Sequence, residues 1–164
     1  MFLSNSSDYA IRIMTEIAVR SDELPDGIVS RRPYIRGGDL CRDAGLPHEY
    51  VSKILAMLVN AKVLGSRKGP RGGFMLPKPA RDISLLNVIE AIEGVDRLDW
   101  CIVRSAKCDD CTRCQQHNFF KPLRHRLRDC LQTTTLADTA ASIRTSEAPV
   151  SQPSESSGQS VQER

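Results

Sequence analysis

Four cysteines and a histidine fall close together: Cys101, Cys108, Cys111, Cys114 and His117, spaced C-x6-C-x2-C-x2-C-x2-H. Thiolates at such separations on one short stretch can wrap a single soft metal centre, either an iron–sulfur cluster (2Fe–2S or 4Fe–4S) or zinc. The density is too high for packing alone. The first twenty residues carry Asp8, Arg12, Glu16 and Arg20 at helical intervals, so no secretory leader is visible. No apolar run approaches the roughly 18 residues that cross a bilayer. The chain is therefore expected in the cytoplasm, without a membrane partner. In that reducing compartment clustered thiols read as ligands or sensors, not disulfides. Cys41 and Cys130 fall on or near apolar faces of expected helices and are read as small buried hydrophobes.

A second chemistry is electrostatic. The chain carries +3 overall, but the last twenty residues, with Glu147, Glu155, Glu163 and Arg164, are net −2, which leaves +5 on the rest. Between Lys62 and Arg81 stand Lys62, Arg67, Lys68, Arg71, Lys78 and Arg81 with no acid among them. Such a segment suits a polyanion.

The elements that must position these groups are legible from periodicity. Apolar residues from Asp8 to Val19 recur at helical spacing, with Ser7 or Asp8 as the cap. Residues 21–36 form a loop that ends in a short strand at Tyr34–Arg36. A brief helix, Gly38–Ala44, closes at Gly45. Pro47 opens another, whose buried stripe is Val51, Ile54, Leu55, Leu58 and Val59. Val63–Arg67 and Gly72–Leu76 read as two strands joined by a tight turn at Lys68–Arg71. A β-hairpin directly after a helix-turn-helix is a wing. Ser84 caps a helix carrying Leu85, Val88, Ile89 and Ile92, with Gly94 past its end. A long amphipathic helix runs from about His117 to Leu131. On it Phe120, Leu123 and Leu127 form a candidate dimer seam, and Lys121, Arg124, Arg126 and Arg128 face away. From Thr145 the composition is that of a disordered tail.

The expected fold class is mainly α with a small β wing. A winged helix-turn-helix DNA-binding domain (1–94) is followed by a cysteine-rich cluster loop (95–117), a long C-terminal dimerisation helix with an extension (118–144) and a tail (145–164). Double-stranded DNA is the expected partner. The first turn of the reading helix offers His48, Glu49 and Tyr50, with Lys53 behind them, to the major groove, and the wing offers Arg67, Lys68 and Arg71 to the minor groove. Gly69, Gly72 and Gly73 are expected to let the wing approach the DNA backbone. Neither a nucleotide-binding glycine fingerprint nor a nucleophile–base pairing is evident, so an enzyme with a small-molecule substrate is not expected.

With these motifs in hand, the chain resembles the winged-helix regulators of the Rrf type. The resemblance rests on Asp8-Tyr9-Ala10-Ile11-Arg12, Tyr50-Val51-Ser52-Lys53-Ile54-Leu55, Arg67-Lys68-Gly69-Pro70-Arg71-Gly72-Gly73-Phe74 and the run from Ile83 to Gly94, and it covers roughly residues 1–140. It implies a homodimeric transcription factor, most often a repressor, acting on a palindromic operator under control of an iron–sulfur cluster that senses nitric oxide, iron or redox state. Cys101, Cys108 and Cys114 fit that family's three-cysteine pattern. The fourth ligand is His117, by analogy with the iron–sulfur-biogenesis branch, or Asp8 of the partner subunit, by analogy with the nitric-oxide branch. The residues around Asp8 and Ser52 lean toward the latter. Cys111 departs from the pattern and encourages a zinc site of Cys108, Cys111, Cys114 and His117, which would staple a DNA-binding or assembly module with no sensing role.

Overall fold

The computed structural model of the chain describes residues 3–21, 34–100, 107–108 and 116–146. Helix α1 (Asn5–Ser21) buries Ala10, Ile13, Met14, Ile17 and Ala18. Helices α2 (Gly37–Ala44) and α3 (His48–Asn60) form the helix-turn-helix, separated by Gly45 in the left-handed conformation at φ 62°. Val51, Ile54, Leu55 and Leu58 of α3 point into the core as their spacing predicts. Strands β1 (Gly65–Arg67) and β2 (Gly73–Met75) pair antiparallel, with Ser66 opposite Phe74. Helices α4 (Leu85–Glu93), α5 (His117–Thr133) and α6 (Leu136–Ser146) complete the chain. The result is mostly helical with a two-stranded antiparallel wing, as expected.

The wing is braced from a third side. Ile35 exchanges two backbone bonds with Phe74, its N–H donating to the Phe74 carbonyl at 2.9 Å and its carbonyl accepting at 2.8 Å. The expected strand at Tyr34–Arg36 is thus a single bridge on the open edge of β2. That approach explains Gly73. Its φ of 151° disfavours side chains, and a Cβ there would lie 2.4 Å from the Ile35 carbonyl oxygen. A Cβ on Gly72 would lie 2.1 Å from the Arg67 carbonyl oxygen. These two glycines are required by the wing's own backbone.

Helix α1 starts earlier than expected, and its cap is Ser4, not Ser7 or Asp8. The Ser4 carbonyl accepts from the N–H groups of Ser7 and Asp8, and its hydroxyl accepts from Ser7 N–H at 3.3 Å. Ser7 is instead fully buried, and its hydroxyl donates to Glu93 Oε1 at 2.7 Å. The same carboxylate oxygen takes Ser4 N–H at 2.7 Å, while Oε2 takes Arg97 Nε at 3.1 Å. Glu93 therefore clamps the start of α1 to the end of α4. Burial by itself would raise its pKa, but the bonds from Ser4 and Ser7 and the charge of Arg97 outweigh burial and hold it below the ordinary 4.5.

The C-terminal extension that follows α5 is itself helical over residues 136–146. Thr135 and Asp138 bond reciprocally, Thr135 N–H to Asp138 Oδ2 at 2.8 Å and Asp138 N–H to Thr135 Oγ1 at 3.3 Å, a capping box that starts α6. Leu136 and Ala140 are fully buried in the core with α1, and the hydroxyls of Thr15 and Thr139 meet at 3.1 Å. The segment closes over the core beside α1. Cys41 does pack against that core, but Cys130 is exposed on α5. The tail beyond residue 146 lies outside the described residues.

Removing the Glu93 carboxylate should destabilise the protein by about 2 kcal/mol, because it leaves buried donors unpaired. Urea unfolding of Glu93→Ala against wild type measures this. Since the folded-state pKa is depressed, the clamp's contribution is present above pH 4.5 and fades as pH falls through the lower folded value. The stability of Glu93→Gln should accordingly fall less steeply than wild type between neutral and acid pH. Gly73→Ala should break the Ile35 bridge and weaken DNA binding, while far-ultraviolet circular dichroism keeps its helical intensity.

Candidate nucleic-acid interface and metal centre

The reading helix presents one face to solvent. His48, Glu49 and Tyr50 of its first turn are exposed, as is Lys53. His48 Nδ1 lies 3.5 Å from Ser52 Oγ, one turn further on. Tyr50 is 54% exposed yet leans edge-on against Tyr9 of α1, ring centroids 6.1 Å apart, which restricts its swing. Polar groups thus line the exposed face, while the opposite face is anchored by four buried aliphatic residues.

On the wing the three expected cations divide their roles. Lys68 and Arg71 are exposed at the turn. Arg67 holds the wing together: its guanidinium donates to the Arg71 carbonyl at 2.7 Å and stacks 4.3 Å above the Tyr34 ring. Gly69 at φ 110° allows the turn itself. Between α3 and the wing runs a groove of about 660 Å³, floored by Leu55, Val59 and Phe74 and rimmed by His48, Arg67 and Lys68. The rim also includes Arg36, which the sequence reading missed. Arg36 ends the Tyr34–Arg36 segment, and the only available signal was that this segment pairs with the hairpin.

Of the expected metal ligands, Cys101, Cys111 and Cys114 lie outside the described residues. The structure brings Cys108 and His117 together, Sγ to Nδ1 at 3.4 Å, both half-buried. Two donors on one tetrahedral centre, with metal–sulfur and metal–nitrogen bonds of ~2.3 and ~2.0 Å, stand about 3.5 Å apart. The pair therefore suits a shared soft metal in both chemistry and spacing. Asp8 is exposed in the first turn of α1. Among the described residues no three His, Cys, Asp or Glu side chains converge as a metal site.

Cys108 is fastened to the rest of the protein by polar contacts. Its N–H donates to the Asp99 carbonyl at 2.9 Å, and its neighbour Lys107 pairs with Asp96 at 2.8 Å. Arg128 of α5 bridges Asp99 and Glu90 of α4, 3.3 Å from each carboxylate. Arg128 was expected only as a solvated cation; its partners come from two elements far off in sequence. The stripe expected along α5 also divides. Leu131 is buried, and Leu127 packs with Leu86, Ile89 and Leu98 of the same chain, whereas Phe120 is half-buried and Leu123 is 40% exposed.

No helix among the described residues is long and apolar enough to cross a membrane. Residues 3–142 match the Rrf2 family, described as an iron-dependent transcriptional regulator. The chain is 30% identical over 139 residues to the HTH-type transcriptional regulator IscR of Vibrio atlanticus, across 84% of this chain and 74% of that one. It is 29% identical over 145 residues to the protein of the same name in Vibrio vulnificus, across 84% and 76%. Among solved structures it is similar to T. potens IscR (TM-score 0.68, 19% identity, 91% of this chain and 93% of the other). It is also similar to CymR, the global cysteine regulator of B. subtilis (TM-score 0.65, 21% identity, 85% and 96%). With a helix-turn-helix, a braced basic wing and a family match spanning nearly its whole length, the chain belongs to the Rrf2 family: it is a DNA-binding transcriptional regulator of the Rrf2/IscR type, not an enzyme.

Proposed function

We propose that this regulator is a homodimeric repressor whose grip on a palindromic operator is set by an iron–sulfur cluster held by Cys101, Cys108, Cys114 and His117. The observation that carries this reading is the 3.4 Å approach of Cys108 Sγ to His117 Nδ1, nine residues apart in the cysteine-rich segment. That approach supports His117 over Asp8 of a partner subunit as the fourth ligand. A bound cluster supplies iron that reacts with nitric oxide or oxidants and is lost when iron is scarce.

The chain's own residues relay its presence. Cys108, held to His117, keeps the backbone bonded to Asp99, and Asp99 orients Arg128 between itself and Glu90. Glu90 rides on α4, which packs against both α1 and α3. Loosening Cys108 therefore loosens the brace between α5 and the helix behind the reading helix. In a dimer this would change the spacing of two reading helices, to which a palindromic site is sensitive. A hundredfold change in occupancy needs a coupling of about 3 kcal/mol. His48, Glu49, Tyr50 and Lys53 read the major groove, and Lys68 and Arg71 enter the minor groove, with Arg67 supporting them.

Anaerobic purification followed by visible spectroscopy and metal analysis tests the reading. Wild type should be coloured and contain iron. Cys108→Ala and His117→Ala should lose the visible absorption, and Asp8→Ala should keep it. Nitric oxide should bleach wild type and lower operator affinity about a hundredfold. A colourless protein containing zinc, binding DNA equally with and without nitric oxide, would identify a structural staple and overturn the sensing role. For the DNA face, Arg71→Ala should reduce affinity and lower the steepness of its salt dependence by about one.

A further inference from the structure

The cleft between α3 and the wing lies where two grooves of a duplex would be read at once. A helix in the major groove and a hairpin in the adjacent minor groove must straddle the sugar–phosphate strand that separates them. The groove between α3 and the wing, with its floor of Leu55, Val59 and Phe74, is where that strand would pass. The side of the groove contributed by neither α3 nor the hairpin consists of Gly37, Gly38 and Cys41 of α2 and of Arg36, the residue just before α2 and the charged one among them. It is exposed, and its guanidinium donates to the carbonyl of Pro70 at the wing turn at 3.4 Å. Its backbone follows Ile35, whose two bonds to Phe74 fix it to β2. A cation so placed is rigid at its root and reaches toward the wing turn at Pro70. Among the described residues no acidic side chain lines the groove.

Resting on the DNA-binding assignment, we infer that Arg36 is the phosphate contact for the backbone strand crossing from the major to the minor groove. It sets the register of reading helix and wing together and carries no base preference. The chemistry is that of a guanidinium and a phosphodiester, with the apolar floor facing deoxyribose.

The test is fluorescence anisotropy of the full-length, anaerobically purified protein across a salt series. The probes are a duplex selected by wild type from a random pool and an unselected duplex of equal length. Arg36→Ala should bind both duplexes roughly five- to tenfold more weakly, with the salt slope reduced by about one. Arg36→Lys should recover the slope and part of the affinity. Unaltered circular dichroism and visible spectra for both variants keep a folding or metal defect out of the comparison. Unchanged binding by Arg36→Ala, or a loss confined to the selected duplex, overturns the assignment. If wild type binds neither duplex, the DNA-binding reading itself falls; if Arg71→Ala loses affinity while Arg36→Ala does not, only the role of Arg36 falls.

Discussion

Glu90 and Glu93 lie three residues apart on α4, and each reaches a different part of the chain. Glu93, its side chain 7% exposed, takes two donors from the start of α1 and one from Arg97. Glu90 takes Arg128 of α5, which also holds Asp99 below Cys108. A buried carboxylate is tolerated only when its lone pairs are met, so these contacts are demanding: move α1, α5 or the cysteine arm, and a charge on α4 loses its partner. Through them α4 joins the end of the protein that carries Cys108 and His117 to the helix-turn-helix core. Apolar packing against Leu86 and Ile89 provides cohesion, and the carboxylates fix the alignment.

The DNA face follows a different logic. Its presentation depends on backbone bonds and bare glycines, because a wing of two three-residue strands has little apolar area to hold it. Ile35 completes the open edge of β2 and Arg67 closes over Tyr34 and the Arg71 carbonyl, so the exposed Lys68 and Arg71 stand on a stiff support. Stiffness matters here since a cation already in place loses less conformational freedom on meeting a phosphate. The same bracing places Arg36 beside the wing, although thirty-four residues separate it from Pro70.

Much of this was legible in the residues, for local reasons. Helical periodicity located α1 to α5, the turn residues at Lys68–Arg71 located the wing, and Gly45 and Ser84 marked ends that local geometry enforces. The capping box Thr135-x-x-Asp138 was equally readable, yet α6 was passed over because the residues after it have too short an apolar stripe to suggest a buried helix. The errors elsewhere share a cause. Ser7 looks like a cap until Glu93 arrives from 86 residues away, and Arg128 looks like a solvated cation until Glu90 and Asp99 meet it.

The order of residues by itself therefore determined which segments are helical, where the wing turns, and which side chains have the chemistry for metal and phosphate, since these depend on neighbours within a few positions. Only the folded chain decided that Cys108 meets His117, that Arg128 is a brace and not a solvated cation, and that Arg36 stands beside the wing. Those outcomes depend on how separate elements pack, and packing is set by burial and charge pairing across the whole core, which no local pattern encodes.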